Sequence, residues 1–141
     1  MTLGIKSFDG IFKGNIVGDH DSLALLTLVL AQKGNKVYGK ATLGEGLKAD
    51  TGGLVCPGLI SIPPGSTEII GEIDPQNPLQ IETKSSYADS NVTVDINVKA
   101  YLSENGRSID IQLDLKTPWP CRRSRFEALL NKSEDLASRI D

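Results

Sequence analysis

The chain has 141 residues, with 15 Lys and Arg against 18 Asp and Glu and a net charge of −3. This balance excludes nucleic acid as the main partner, because phosphate binding needs a basic face. Aromatic residues make up 5 % of the chain, too few for base or sugar stacking platforms.

In chain order, the first predicted strand is Gly10–Val17, in which apolar residues recur among glycines. A polar turn, "GDHDS", follows. Ser22–Gln32 then reads as a long strand that is apolar on both faces: Leu23, Leu25 and Val29 one way, Ala24, Leu26, Leu28 and Leu30 the other. A helix is the competing reading of such a run. The short turn "KGN" to an alternating strand, Lys36–Leu43, favours a strand covered on both sides. Gly44–Gly53, "GEGLKADTGG", reads as a solvated connection or as a lip over a cavity. Shorter strands are predicted at Leu54–Ile62, Glu68–Ile73 and Leu79–Lys84, punctuated by prolines that suit edges and turns.

The plainest pattern comes next. Val92, Val94, Ile96, Val98, Ala100 and Leu102 alternate with polar residues, which predicts a half-buried strand. Asn105-Gly106 supplies a hairpin turn, because both residues tolerate positive φ. Ile109, Ile111, Leu113 and Leu115 alternate in the returning strand. From Arg123 the period changes: Phe126, Leu129, Leu130, Leu136, Ala137 and Ile140 recur at helical spacing. Ser124 and Glu127 have the spacing of a capping box. The expected fold is therefore mainly β: one domain over residues 1–141, an antiparallel up-and-down barrel or curled sheet of about eight strands, with a C-terminal helix over about residues 123–138.

Cys56 and Cys121 are the two cysteines, 65 residues apart and each beside a proline. Neither stands in a zinc spacing. In an oxidising compartment they would pair, and in a reducing one they would be buried thiols; the expectation is a disulfide. Pro118, Trp119 and Pro120 would end the last strand, with Trp119 as a plug. Arg122, Arg123 and Arg125 would then form the first turn of the helix. Cations there oppose the helix dipole, which makes the three a candidate contact for an anion or a partner, against the plainer reading of pairing with acids of the same chain.

Catalytic chemistry finds little support. His20 is the one histidine, and adjacent Asp19, His20 and Asp21 on extended backbone would not converge on a metal or a substrate. Asp95 and Asp110 could share a face as a carboxylate pair, but ordinary solvated positions are much the plainer reading. No nucleophile elbow, phosphate loop or metal motif is present, so no enzyme activity, cofactor or metal is expected; a hydrolase or isomerase built on scattered acids is the weakest alternative. The sequons at Asn91 and Asn131 matter only in a glycosylating host.

"FDGIFKGNIV", with Gly10, Phe12 and Gly14, and "LALLTLVLAQKGNKVYGKATL", with Val37 and Gly39, together resemble the opening of small secreted calycin-like barrels, lipocalin-like or avidin-like. The chain departs from the lipocalin pattern in lacking a first-strand Trp; its Trp is at position 119. The resemblance implies a secreted or bacterial-envelope barrel, such as the soluble part of a lipoprotein whose anchor lies outside this chain, and it implies no binding residue. "MTLGIKSFDG" has no signal-peptide character, so either the protein is cytoplasmic or a leader has been trimmed; the expected pairing of the cysteines favours trimming. The expected function is a non-enzymatic, extracytoplasmic β-barrel domain, periplasmic or secreted, that binds a small apolar ligand, lipid or peptide. The alternative is a structural or assembly protein of an envelope complex or virion, acting through a protein interface at Ser22–Gln32 or at Arg122–Arg125. No transmembrane helix is expected, since no apolar run reaches about 18 residues.

Overall fold

A computed structural model describes residues 7–52, 56, 58–89, 92–117 and 121–134. Its strands are β1 (Gly10–Val17), β2 (Leu23–Lys33), β3 (Lys36–Leu43), β4 (Leu47–Asp50), β5 (Leu59–Ile62), β6 (Gly65–Asp74), β7 (Asn77–Asp89), β8 (Val92–Leu102), β9 (Ser108–Lys116) and β10 (Ser124–Glu134). Eight of them close a barrel in the circular order β1-β10-β9-β8-β7-β6-β3-β2, and β4 and β5 form a separate hairpin. All pairings are antiparallel.

The interior follows from period two. Phe12 and Ile16 of β1, Leu28 and Leu30 of β2, Val37 of β3, Ile81 of β7 and Val94 and Ala100 of β8 point inward. Ile109, Ile111 and Leu115 of β9, with Phe126, Ala128 and Leu130 of β10, complete one cluster. An eight-stranded barrel is just wide enough for such side chains or one small ligand. Phe8 is fully buried at one end. Its N–H donates to Gln32 Oε1 (3.0 Å), and the Gln32 N–H donates to Asp9 Oδ1 (2.7 Å), so the segment before β1 is pinned to the end of β2.

Two expectations are corrected. The first is the C-terminal helix over 123–138: Ser124–Glu134 is a strand, β10, lying between β9 and β1. Ser124, Phe126, Ala128 and Leu130 are buried and alternate with exposed Arg125, Glu127 and Leu129, so the capping-box reading of Ser124 and Glu127 falls as well. The helical reading counted Leu129 as inward, but it lies 54 % exposed on the outer wall. A closed sheet needs a strand at this place, since otherwise β1 and β9 would present bare edges. The helical positions Leu136, Ala137 and Ile140 lie outside the described residues. The second correction concerns Gly44–Gly53. It holds β4, whose Leu47 and Ala49 are buried in the core. Thus the eight barrel strands include β10 and exclude the predicted strand at 54–62, of which Leu59–Ile62 is β5 of the separate hairpin.

Neighbouring strands approach closely at some of the barrel glycines. A Cβ on Gly39 would collide with the Val29 carbonyl oxygen of the neighbouring strand, whereas one on Gly44 meets only ordinary contacts. Gly39→Ala is therefore expected to cost about 1–3 kcal/mol, and Gly44→Ala to stay within about 0.5 kcal/mol. Urea unfolding midpoints of the two variants check this.

Candidate functional site

The β1–β2 turn, the β3–β6 connection, the β7–β8 tip and the β9–β10 connection gather at the end of the barrel opposite Phe8, here called the mouth. The β4–β5 hairpin is inserted between β3 and β6. In the circular order that junction lies opposite the β9–β10 junction, with β2 and β1 between them on one side and β7 and β8 on the other. Cys56, in the connection between β4 and β5, is bonded to Cys121, in the connection between β9 and β10. The hairpin is therefore a strap drawn across the mouth and stapled to the far wall. On its underside, Leu47, Ala49 and Ile60 are buried. The expected disulfide is present, but it ties this strap rather than the foot of a helix. Closing a loop of 65 residues stabilises by about 4 kcal/mol on the chain-entropy account.

Backbone bonds reinforce the staple. Arg122 N–H donates to the Thr51 carbonyl (2.7 Å), and the Thr51 N–H and Oγ1–H both donate to the Gly58 carbonyl (2.7 and 2.8 Å). Thr117 Oγ1 donates to the Arg122 carbonyl (2.6 Å). Thr51, Thr117 and Ser124 are the buried polar side chains among the described residues, and all three lie at this anchorage. Polar groups are buried where partners await them, so the strap has a specific seat.

The turn Asp19–Asp21 guards the strap's flank. Lys48 N–H donates to Ser22 Oγ (3.0 Å) and Asp50 N–H to Asp19 Oδ2 (2.8 Å). The outer edge of β4 is thus paired by side chains instead of by another strand. Asp19 also accepts from Ser124 Oγ (3.3 Å) and lies 3.9 Å from the Arg122 guanidinium. His20 stands in the left-handed region at φ 57°, and its ring hydrogen-bonds Asp50 Oδ2 at 3.0 Å. Gly18 makes this contact close: a Cβ there would lie 2.6 Å from the Lys48 carbonyl oxygen and 2.9 Å from Leu47 Cδ1. The polar turn expected at "GDHDS" is present, with the added role of clasping the strap; no signal in the sequence joined His20 to Asp50.

The second feature is a parting of the wall. The register of β6 with β7 runs through Asp74↔Asn77, Ile73↔Ile81 and Glu72↔Glu82 and stops there among the described residues, although β6 continues to Gly65 and β7 to Asp89. The last pair sets two carboxylates opposite one another, which disfavours pairing. β3 stays paired with β6 up to Leu43↔Gly65, and β8 with β7 up to Val92↔Asp89. The mouth halves of β6 and β7 therefore flank a cleft. Inward-facing Ala41, Ile69, Ile96, Val98 and Leu113 are only partly buried, while they pack on the core. Solvent thus reaches aliphatic inner wall on β6, which flanks the cleft, and on β3, β8 and β9.

The other sequence candidates are scattered. Arg125 Nε donates to Asp114 Oδ1 (2.7 Å) on the outer wall; Arg122 faces the mouth, and Arg123 is exposed. Since no helix starts there, the dipole argument for the three arginines does not apply. Asp95 pairs with Lys116 and Asp110 with Tyr101, so the two acids sit far apart on the outer face and make no carboxylate pair. Trp119, with Pro118 and Pro120, lies outside the described residues, as does the sequon residue Asn91.

No family model matches the chain, and no curated protein matches it. Among solved structures, a redesigned β-barrel is similar, with 13 % sequence identity, a TM-score of 0.52, and coverage of 90 % of this chain and 92 % of that one. This likeness shows the fold alone. The barrel implied by the resemblance to calycin-like proteins is present, and the comparisons assign the chain to no family.

Asp50 is the mouth's titrating clasp. Hydrogen bonds from the His20 ring and the Gly52 amide hold its carboxyl below the ordinary range, with the Arg122 charge acting the same way. A depressed carboxylate stabilises the fold above its unfolded pKa, and that contribution is lost as pH falls through the folded value. Asp50→Asn is therefore expected to lower the melting temperature near neutrality and to converge on the wild type as pH drops below about 4. A gap that stays constant across the acid range would contradict the assignment.

Proposed function

We propose that this is a non-enzymatic binding barrel that holds a small apolar ligand or lipid chain against the inner wall exposed at the β6–β7 cleft. The observation that carries this reading is the set of inward aliphatic residues, Ile69, Ile96, Val98 and Leu113, that border the core and yet touch solvent. Binding pockets are concave and mostly apolar, and an eight-stranded barrel can hold one small ligand where its own side chains do not fill it. The non-catalytic part rests on the sequence, which carries no nucleophile elbow or phosphate-loop motif. An extracytoplasmic setting, periplasmic or secreted, is supported by the disulfide, since such bonds persist in oxidising compartments. Of Arg122, Arg123 and Arg125, the first lies beside Asp19 and the last is paired with Asp114, so a contact with an external anion would fall to Arg123.

The test uses the uncharged fluorophore N-phenyl-1-naphthylamine, with native mass spectrometry of the purified protein for retained lipid. Wild type is expected to take up the probe. Val98→Glu should weaken uptake by ten- to a hundred-fold, about the value of one buried aliphatic side chain. A protein that takes up no probe and retains no lipid would refute the proposal.

One observation favours a second reading, an assembly protein acting through the outer wall. Val17 and Leu23 are cross-strand partners, and with Leu25 and Leu129 they leave large apolar surface exposed. Such patches mark interfaces when contiguous. Light scattering should then show an oligomer that Leu23→Glu dissociates; a monomeric wild type at millimolar concentration argues against it.

A further inference from the structure

We infer that the mouth half of β6 is a receptor edge for an extended peptide strand. The backbone sets this out. Along a strand, successive residues turn their N–H and C=O groups to opposite sides. Ile73 N–H donates to the Asn35 carbonyl on the β3 side (2.8 Å). Gly71, Ile69 and Thr67 therefore also face β3, and Ile70, Glu68 and Ser66 face β7. On that side the pairing has ended at Glu72↔Glu82. Among the described residues, the β6–β7 register does not extend to Ser66, Glu68 and Ile70; the Glu68 carbonyl accepts from the neighbouring Thr67 Oγ1 (3.5 Å). All three are exposed, Ile70 at 58 %. Across the cleft, by the same alternation, Lys84 and Ser86 of β7 turn their backbone groups toward β6.

Donors and acceptors in line on an extended strand are met by another extended backbone, as in strand addition; a lipid chain offers them nothing. The side chains add a pattern. A strand laid there would present alternate residues to Ile69 on the inner side and to Glu68 and Lys84 on the outer side. The preferred partner is thus a peptide alternating apolar and polar residues, with a basic residue opposite Glu68. β3 supplies a template from this same molecule: on the other flank of β6 its Lys40 stands opposite Glu68. This inference uses the same cleft as the ligand proposal but stands apart from whether the interior takes up a small molecule.

The probe is a synthetic peptide of β3 sequence, KVYGKATL. Fluorescence anisotropy measures its binding to the full chain, and hydrogen exchange by NMR follows the amides of Ser66, Glu68 and Ile70. The peptide is expected to slow exchange at those three amides and to leave β1 and β2 unchanged. N-methylation along its backbone should weaken binding at least tenfold. Glu68→Pro removes an open-edge donor without removing a bond to β3, and should weaken binding at least tenfold with the fold retained by circular dichroism. Should that variant unfold, Ser66→Pro repeats the test nearer the strand end. Absence of binding at millimolar peptide, binding without protection at the three amides, or undiminished binding of the N-methylated peptide would each overturn the inference. A protein that takes up N-phenyl-1-naphthylamine and ignores the peptide refutes the edge and leaves the interior proposal standing. The reverse pattern refutes the interior proposal and leaves the edge.

Discussion

Every strand of a sheet has two sides of backbone donors and acceptors, and the architecture here follows from how each side is met. Barrels satisfy the requirement by closing. β10 is decisive, because it alone stands between β9 and β1. Its alternation of buried Ser124, Phe126, Ala128 and Leu130 sends one face to the core, and its register meets neighbours on both flanks. Once the ring is closed, the interior is a fixed girth that aliphatic residues and phenylalanine fill from all sides.

The two departures from that rule lie at the same end. The β4–β5 hairpin is a two-stranded sheet that a closed barrel cannot absorb. It is stabilised by what surrounds it: Leu47, Ala49 and Ile60 beneath, Asp19 and Ser22 side chains on the edge of β4, and the Cys56–Cys121 bond at the tip. A two-stranded hairpin alone is marginal in water, so these contacts are conditions of its existence. The strained backbone at His20 fits this view. A left-handed non-glycine residue persists where its surroundings over-determine it, and here the ring is fixed on Asp50.

Much of this was legible from residue patterns. β3, β8 and β9 announce themselves by period two, the β8–β9 turn by Asn105-Gly106, and β2, apolar on both faces, by its short turn to β3; β1 is a weaker signal. The last strand was misread because Leu129 and Leu130 are adjacent, and adjacency fits a helical stripe as well as a strand with one outward leucine. Only the demand of barrel closure separates the two, and closure is a property of the whole sheet. The strap was hidden for a different reason: four residues, Leu47–Asp50, are too few to show a period, and the glycines around them read as loop. The cleft begins beyond Glu72 and Glu82, and locating it requires the register, which local sequence does not carry. The cysteines could be paired on chemistry, whereas the route of the strap across the mouth depends on strand order.

An unpaired run inside a wall is ordinarily an aggregation hazard, and the chain guards this one by charge. Glu68 and Glu72 on β6 and Glu82 and Lys84 on β7 stand along the parting, and charged side chains at an edge discourage casual pairing. Ile70, exposed in the middle of the same run, works the other way, since a guarded edge would carry a polar residue there. On their other flanks the two acids of the last pair are matched by lysines: Lys36 faces Glu72 and Lys99 faces Glu82. The parting therefore begins just beyond a pair of acids, Glu72 and Glu82, in strands that stay paired on their other sides.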